Sequence, residues 1–470
     1  MNDYRIENDS MGELKVPTSS YYGAQTMRAI QNFPISDLKF QNSFIKALAQ
    51  IKLSAAEANF KLTLINEQSK NVIVSACQDI IAGKMNDQFV LDIFQTGSGT
   101  STNMNINEVI SNKAIEILGG EIGSKKPIHP NDHVNMGQSS NDVIPSAIHL
   151  SAISSINEKL LPSLKKLNNS LLKKSEEFMD VVKTGRTHLQ DATPIRLGQE
   201  FLGYAGQIER SAQRISDSVS QLSEIAIGGT AVGTGVNTHP QFAKKVCEIL
   251  TKLIKVKITE TDNHFQAQST LDTAVACSGS LKSLAIALMK ISNDIRWLSS
   301  GPRSGFNEIE IPAVQPGSSI MPGKINPVIP ESVCQVSAQI IGNDTTISIA
   351  GQSGNFEINV MMPVVAYNLL QSIELASTSC ENFTTQCIDG IKATQKGPQM
   401  VTNGLAIVTT LVPHIGYDKS AHIAKLAQLK NLTIKEIALQ ETNFSSDELD
   451  NILNPESMTD PESAPNVSLG

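Results

Sequence analysis

Aromatic side chains are scarce in this chain. They make up 4 % of its 470 residues, and Trp297 is the single tryptophan. Stacking platforms for single-stranded nucleic acid depend on such rings, so that class of function is disfavoured. A surplus of positive charge is missing too: Lys plus Arg number 38 against 46 Asp plus Glu, a net charge of -8. Duplex binding needs clustered positive charge against the phosphates, so nucleic acid is not an expected partner. A small anion is compatible with this balance, because a pocket can be locally positive. No uncharged apolar run reaches the roughly 18 residues of a membrane span, and no membrane partner is expected. Residues 1–7 (MNDYRIE) lack the basic and then apolar stretches of a secretory signal. None of the six cysteines (Cys77, Cys247, Cys277, Cys334, Cys380, Cys387) forms a C-x-x-C pair. Buried, reduced thiols in a cytoplasmic protein are the expectation.

What the chain has in abundance is helical periodicity. Hydrophobic residues at 40 % and charged residues at 18 % describe a globular protein, with length for about three domains. Long helices are predicted over 145–179, interrupted only by Pro162, and over 195–227, 265–298, 327–353 and 357–391, the last broken near Pro363. Helices longer than about 25 residues belong to bundles rather than to α/β units. Residues 270–288 carry only Asp272 and Lys282 as charges. A helix apolar on nearly all sides must be covered on all sides, which predicts burial in an oligomer. The fold class is thus mainly all-α. Residues 1–138 have shorter elements and many turns, 139–395 hold the long helices, and 396–470 read as short helices with a polar, Pro-rich end (454–470) expected to fray.

Several apparent motifs fail. Gly317 to Lys324 (GSSIMPGK) resembles a phosphate-binding loop but has five residues between its glycines, and Ile325 stands where a Mg²⁺-binding hydroxyl is required. GGTAVGTG (228–235) lacks dinucleotide-binding spacing and follows a helix. His129 and His133 are four apart, but Pro130 and Asn131 argue against a shared helical face, so no zinc site is expected there. There is no G-x-S-x-G nucleophile elbow.

Four polar clusters share one pattern, each ahead of a predicted helix start: Gly97-Ser98-Gly99-Thr100-Ser101-Thr102, Gln138-Ser139-Ser140-Asn141-Asp142, Gly185-Arg186-Thr187-His188 before the capping pair Thr193-Pro194, and Lys324-Ile325-Asn326 running into Pro327. Helix N-termini expose unpaired N–H groups and favour anions. Singly, each cluster reads as a cap. Together they supply hydroxyls, amides, one Lys and one His with few acids, the lining suited to a small substrate with two carboxylates. The glycine-flanked stretch 317–324 reads either as a surface turn or as a lid carrying Ser318, Ser319 and Lys324 over that substrate.

At these residues the chain resembles a known family. GSSIMPGKINP (317–327) resembles the signature of the aspartase/fumarase superfamily, and FQTGSGTSTNMNINEVI (94–110), HPNDHVNMGQSSND (129–142), KTGRTHLQDATPIRLGQEF (183–201), GGTAVGTGVN (228–237) and SSGPRSGFNEI (299–309) also fit. The resemblance covers nearly the whole chain and is best with class II fumarases, with aspartate ammonia-lyases close behind. It implies a three-domain, mainly helical fold whose central long-helix bundle joins four chains into a homotetramer with a twenty-helix core. Each active site then draws segments from three subunits.

The implied chemistry, a step of the tricarboxylic acid cycle, removes a proton next to one carboxylate of L-malate and the hydroxyl group from the neighbouring carbon, a net loss of one water. The doubly charged aci-carboxylate must be stabilised by preorganised donors. By resemblance, Lys324 and Asn326 hold it, with Thr187 nearby. Ser98, Gly99, Thr100, Ser139, Ser140, Asn141, Ser319 and Ile325 complete the substrate contacts. Ser318 is the implied base, activated by backbone donors and loop closure. His188 is the implied acid, acting through a water and oriented by Glu331; histidine suits acid–base work near neutral pH. His129, Pro130, Asn131 and Asp132 resemble a second, non-catalytic dicarboxylate site. No metal or organic cofactor is implied.

Ser139-Ser140-Asn141, Gly354-Asn355-Phe356-Glu357 and His414-Ile415-Gly416-Tyr417-Asp418-Lys419 are fumarase-like, whereas Ser101, Leu189 and Val328-Ile329-Pro330 are aspartase-like. Hydration of fumarate is the favoured expectation and ammonia loss from L-aspartate the alternative. A non-catalytic helical oligomer is a remote third, opposed by intact Ser318, His188, Lys324, Asn326 and Glu331.

Overall fold

The computed structural model describes residues 3–460. About 62 % of the chain is helical, and the strands pair only as two-stranded ladders. Backbone contacts divide the chain into two units. One comprises the chain up to Pro162 with Ser211–Ala285 and Val336–Thr378; the other comprises Ser163–Arg210, Ile286–Gln335 and the chain from Ser379 onward.

The first unit opens with an antiparallel hairpin, β1 (Tyr4–Asp9) and β2 (Gly12–Pro17), followed by α1 (Ala24–Asn32), α2 (Asn42–Lys61), α3 (Glu67–Ile81) and α4 (Thr100–Ile117). Most of α2 is buried because Ala47, Ala49, Ala55, Ala56 and Ala58 let neighbours approach closely. Those neighbours include α3 and α5 (Ser140–Ser155). A capping box starts α5: the Ser139 hydroxyl accepts from the first turn while Asp142 reaches back to the Ser139 N–H. A widened π turn, Ile156–Leu160, links α5 to α6 (Leu161–Glu177). Pro162 follows directly and has no N–H to give, so the hydrogen-bond register loosens ahead of it.

The second unit contains the ribbon β3 (Val182–Thr187) and β4 (Gln190–Arg196), which leads into α7 (Leu197–Leu222). Here the structure corrects the sequence reading: Thr193 and Pro194 lie in β4 and do not cap a helix. The β-branched residues Val182, Thr184, Thr187, Thr193 and Ile195 favour extended chain, and a two-stranded ribbon has an open edge where proline's missing N–H costs nothing. Near the C-terminus, Leu411, Ile423, Ile437 and Leu449 form a small core of their own. The end of the chain does not fray as far as it is described: Pro455–Met458 is a short helical turn, and Thr459 takes hydrogen bonds from Arg196 Nε (2.9 Å) and Gln199 Nε2 (2.8 Å). Residues 461–470 of that tail lie outside the described residues.

The remaining long helices are α8 (Phe242–Ile254), α10 (Asp272–Leu298), α11 (Val328–Gly351) and α12 (Met362–Gln386); α9 is a single short helix, His264–Ser269. The predicted 265–298 helix is therefore two. The predicted 357–391 helix starts at Met362 because residues 354–359 form a tight antiparallel turn with Phe356 at φ 54°. In the first unit α10 and α11 are tied by buried Asp344, which accepts from Ser278 Oγ (2.8 Å) and Lys282 Nζ (2.6 Å). Asn343 links α11 to α12 through Gln371 (2.9 Å) and Ser372 (3.0 Å). By length and composition α10 would suffice to cross a membrane, more than the sequence reading allowed, yet half of its most apolar stretch is buried inside the chain, as in core helices.

Gly97 illustrates how tightly the loop before α4 is fitted. A Cβ there would lie 1.9 Å from the Val360 carbonyl oxygen, and the Gly97 carbonyl accepts the Met362 N–H at 3.0 Å. Gly97→Ala is expected to destabilise the protein by about 1–3 kcal/mol, the usual cost of overpacking, read from the shift of its urea unfolding midpoint.

Candidate active site

The candidate residues fall into two groups, one in each unit. In the first, α4 starts on Gly99 with φ 73°, where a side chain would press on Ile144 at 2.9 Å. That left-handed turn brings Ser98, Thr100 and Ser140 into a chain of hydroxyls: Ser98 Oγ to Thr100 Oγ1 is 3.0 Å, and Thr100 Oγ1 to Ser140 Oγ is 2.8 Å. The N-termini of α4 and α5 thus meet side by side, although they are 40 residues apart in sequence. Ser139 Oγ accepts the Asn141 N–H at 3.2 Å, and Asn141 Nδ2 donates to the Ala231 carbonyl at 2.7 Å, fixing that side chain against the 228–235 loop. Hydroxyls and helix N-termini of this kind suit a carboxylate.

Beneath this group lies a charge that sequence reasoning missed. Lys52 is 0 % exposed, and its Nζ donates to Asn135 Oδ1 (2.8 Å) and Gln138 Oε1 (3.0 Å). Burial lowers its pKa to about 7, against the opposing pull of Asp142. Asp142, also fully buried, accepts from the N–H groups of Ser139 (2.9 Å), Gly228 (3.0 Å) and Thr230 (3.0 Å). Burial still raises its pKa, with these donors and Lys52 working the other way. The available signal was Lys52 within the Ala- and Leu-rich stretch IKALAQIKLSAAEA, whose other charges are Lys46 and Glu57.

In the second unit, Thr187 ends β3, and His188 and Leu189 form the two-residue turn to Gln190. Both turn residues have positive φ, 56° and 60°, as in a type I′ hairpin. For side-chain-bearing residues this costs about 1–2 kcal/mol each. Thr187 and His188 are exposed. The 317–326 stretch is a loop closed at its neck: Gly317 N–H donates to the Lys324 carbonyl (2.9 Å), and Asn326 Nδ2 donates to the Gly317 carbonyl (2.5 Å). Asn326 thus turns one of its two Nδ2 hydrogens onto the loop, and Pro327, whose carbonyl accepts the Glu331 N–H at 3.1 Å, opens α11 in its place. Ser318 Oγ accepts two backbone N–H groups, from Ile320 (3.2 Å) and Met321 (2.9 Å). Ser319, Lys324 and Ile325 are exposed on the loop, while Glu331 is half-buried in the first turn of α11.

Residues 129–134 do wind into one helical turn, Pro130–Val134, capped by His129. His129 Nδ1 accepts from the Asn131 and Asp132 N–H groups at 3.2 Å each, and His133 Nδ1 accepts the His129 N–H at 2.9 Å. Both Nδ1 atoms are thus engaged by backbone. Asn131 and Asp132 are exposed.

A family described as "Lyase" matches residues 12–342, and one described as "Fumarase C C-terminus" matches 407–460. The chain is 49 % identical over 460 residues to a class II fumarate hydratase of Helicobacter pylori strain J99, covering 98 % of this chain and 99 % of that protein. The chain belongs to the class II fumarate hydratases. A second member, from Wigglesworthia glossinidia brevipalpis, is 49 % identical over 455 residues, covering 97 % of this chain and 98 % of that one. Among solved structures, class II fumarase from Schistosoma mansoni superposes with a TM-score of 0.96 at 40 % identity, over 97 % of this chain and 99 % of that one. Fumarate lyase:delta crystallin from Brucella melitensis bound to cobalt superposes at 0.93 with 43 % identity, over 97 % and 100 %. The mainly helical aspartase/fumarase fold inferred from the class II fumarate hydratase motifs is thereby established.

The Lys52 environment predicts a pH effect with a definite sign. The unfolded lysine holds its proton up to about 10.5 and the folded one only to about 7, so stability rises with pH through that window, by at most about 1.4 kcal/mol per pH unit for one proton. Thermal midpoints measured between pH 7 and 9 should rise less steeply in Lys52→Met than in the unaltered protein.

Proposed function

We infer that the chain catalyses the reversible hydration of fumarate to L-malate, as a hydro-lyase. The full-length similarity to class II fumarate hydratases carries this reading. The hydrogen bonding of Ser318 supports its chemistry: an oxygen that already accepts two N–H groups forms an alkoxide at lower cost, and its own proton is left to be removed. Ser318 takes the proton from the carbon next to one carboxylate. Charge then builds on that carboxylate, where Lys324, Asn326 and Thr187 stabilise it. Thr100, Ser139, Ser140 and Asn141 hold the other carboxylate, with Ser98, Gly99, Ser319 and Ile325 lining the pocket. His188, oriented by Glu331, protonates the departing hydroxyl through a water. His129, Pro130, Asn131 and Asp132 form a second, non-catalytic dicarboxylate site.

The assembly we propose is a homotetramer in which the central segment of each chain (139–395), flanked by an N-terminal domain (1–138) and a small C-terminal one (396–470), joins a twenty-helix core. Its support is the apolar character of α10, where Ile286 is 56 % and Trp297 51 % exposed in the single chain; such side chains call for a partner surface. Each active site then combines segments of three chains. The enzyme is placed in the cytoplasm, supported by six free cysteines, five of them buried. The named donors suffice for the charge, so no metal or cofactor is invoked.

Ultraviolet absorbance should show fumarate forming from L-malate and not from L-aspartate, at a rate unchanged by chelators. The reverse substrate pattern would make the enzyme an aspartate ammonia-lyase, and silence with both would leave a scaffold. His188→Asn and Ser318→Ala should each lower kcat by about 10²–10⁴-fold with the oligomer intact. Sedimentation at micromolar concentration should give four times the 50.6 kDa chain mass; a monomer would contradict the shared site.

A further inference from the structure

The ribbon that carries Thr187 and His188 rests on a buried charge cluster that none of the roles above uses. Lys183 on β3 is 1 % exposed and Glu308, in the connection between α10 and α11, is 3 % exposed in their side chains. Glu308 reaches two cations at once: its Oε1 accepts from Arg186 Nη2 at 2.7 Å, and its Oε2 lies 3.0 Å from Lys183 Nζ. Lys183 Nζ also donates to Glu200 Oε1 at 2.7 Å. Along a regular strand, residues three apart face opposite sides. Lys183 and Arg186 nonetheless grip one carboxylate. The ladder is irregular between them: Thr184 pairs with Pro194 and Arg186 with Asp191, so Ala192 and Thr193 of β4 stand opposite one residue of β3, a bulge that disrupts the ladder and sharpens the local twist of the ribbon. Gly185 is the single residue opposite that bulge, and a Cβ on it would lie 2.6 Å from the Thr193 carbonyl oxygen.

Glu308 is itself held firmly. Its N–H donates to the Leu298 carbonyl (2.8 Å) and its carbonyl accepts the Thr394 N–H (3.0 Å). Phe306, two residues earlier, lies under the Arg186 guanidinium, 4.3 Å from ring centroid to carbon. The carboxylate thus joins a fixed backbone to both sides of the bulge. Immediately beyond it come Thr187 and the strained His188–Leu189 turn. A two-residue turn with both φ values positive has little freedom of its own, so the direction in which His188 leaves the ribbon is set where the ribbon is clamped.

We propose that Glu308 is a positioning residue for the hydration reaction, acting through Lys183 and Arg186 on the bulge that aims His188. The inference rests on His188 being the acid assigned above. Glu308→Gln keeps the shape of the side chain and removes the charge from both cations. In the unaltered background it should lower kcat at least tenfold while the KM for L-malate stays within threefold and the protein elutes as the same oligomer. Glu308→Asp, which keeps the charge with a shorter reach, should recover part of the lost kcat, and it replaces Glu308→Gln in the whole comparison if that variant does not fold. The deciding measurement is a double-mutant cycle with His188→Asn. If Glu308 acts through His188, then in the His188→Asn background its loss should change kcat less than twofold. An equal fold-loss in both backgrounds, or an unchanged kcat in the unaltered one, overturns the proposal. If His188→Asn alone retains full activity, the assignment of His188 itself falls. If that variant is slow and the cycle shows no coupling, only the role of Glu308 falls.

Discussion

A charge taken out of water has to be met by donors or counter-charges on every side, and each unit organises its own group of candidate residues around that requirement. Asp142 answers it by gathering three backbone N–H groups, from Ser139, Gly228 and Thr230, with Lys52 as the nearby opposite charge. Ser139, Ser140 and Asn141 cannot shift without disturbing that carboxylate. In the other unit Lys183, Arg186, Glu200 and Glu308 form a cluster with no net charge beneath the ribbon. In both places most of the groups that would meet substrate are hydroxyls, amides and an imidazole near the surface, with Lys324 the one exposed cation among them, while the other full charges are held behind them.

This division has a mechanistic logic. Stabilising a doubly charged carboxylate demands donors already pointing at it, so that little reorganisation is needed when the charge appears. The Thr100–Ser140 contact at 2.8 Å and the two N–H groups on Ser318 Oγ are fixed contacts of this kind made within the chain itself. Lys52 ties down Asn135 and Gln138 just ahead of Ser139, and Glu308 ties down the ribbon that carries His188.

The long helices were legible because periodicity is local: the 327–353 prediction differs from Val328–Gly351 by three residues in all at its ends. The β3–β4 ribbon was not, because Thr193-Pro194 fits a helix cap by local rules and only pairing with residues 182–187 decides otherwise. The clusters around Ser139, His188 and Ser318 were legible as motifs, and the two that open α4 and α5 do sit at helix starts. The third lies in a strand and its turn, and Asn326 turns back onto its own loop instead of capping. Lys52, Asp142 and Glu308 gained no role from sequence because their partners are distant along the chain: Lys52 meets Asn135 83 residues later, and Glu308 meets Arg186 across 122. Charged residues within apolar surroundings mark such anchors only when the partner is known.

The two-residue turn at His188–Leu189 has a consequence for how this sequence can diverge. Substitutions in the ribbon change side chains one at a time, but gaining or losing a residue there reverses the facing of everything beyond it. The bulge opposite Gly185 already places one extra residue in β4. Descendants of this chain can therefore vary in letter along the ribbon far more freely than in length.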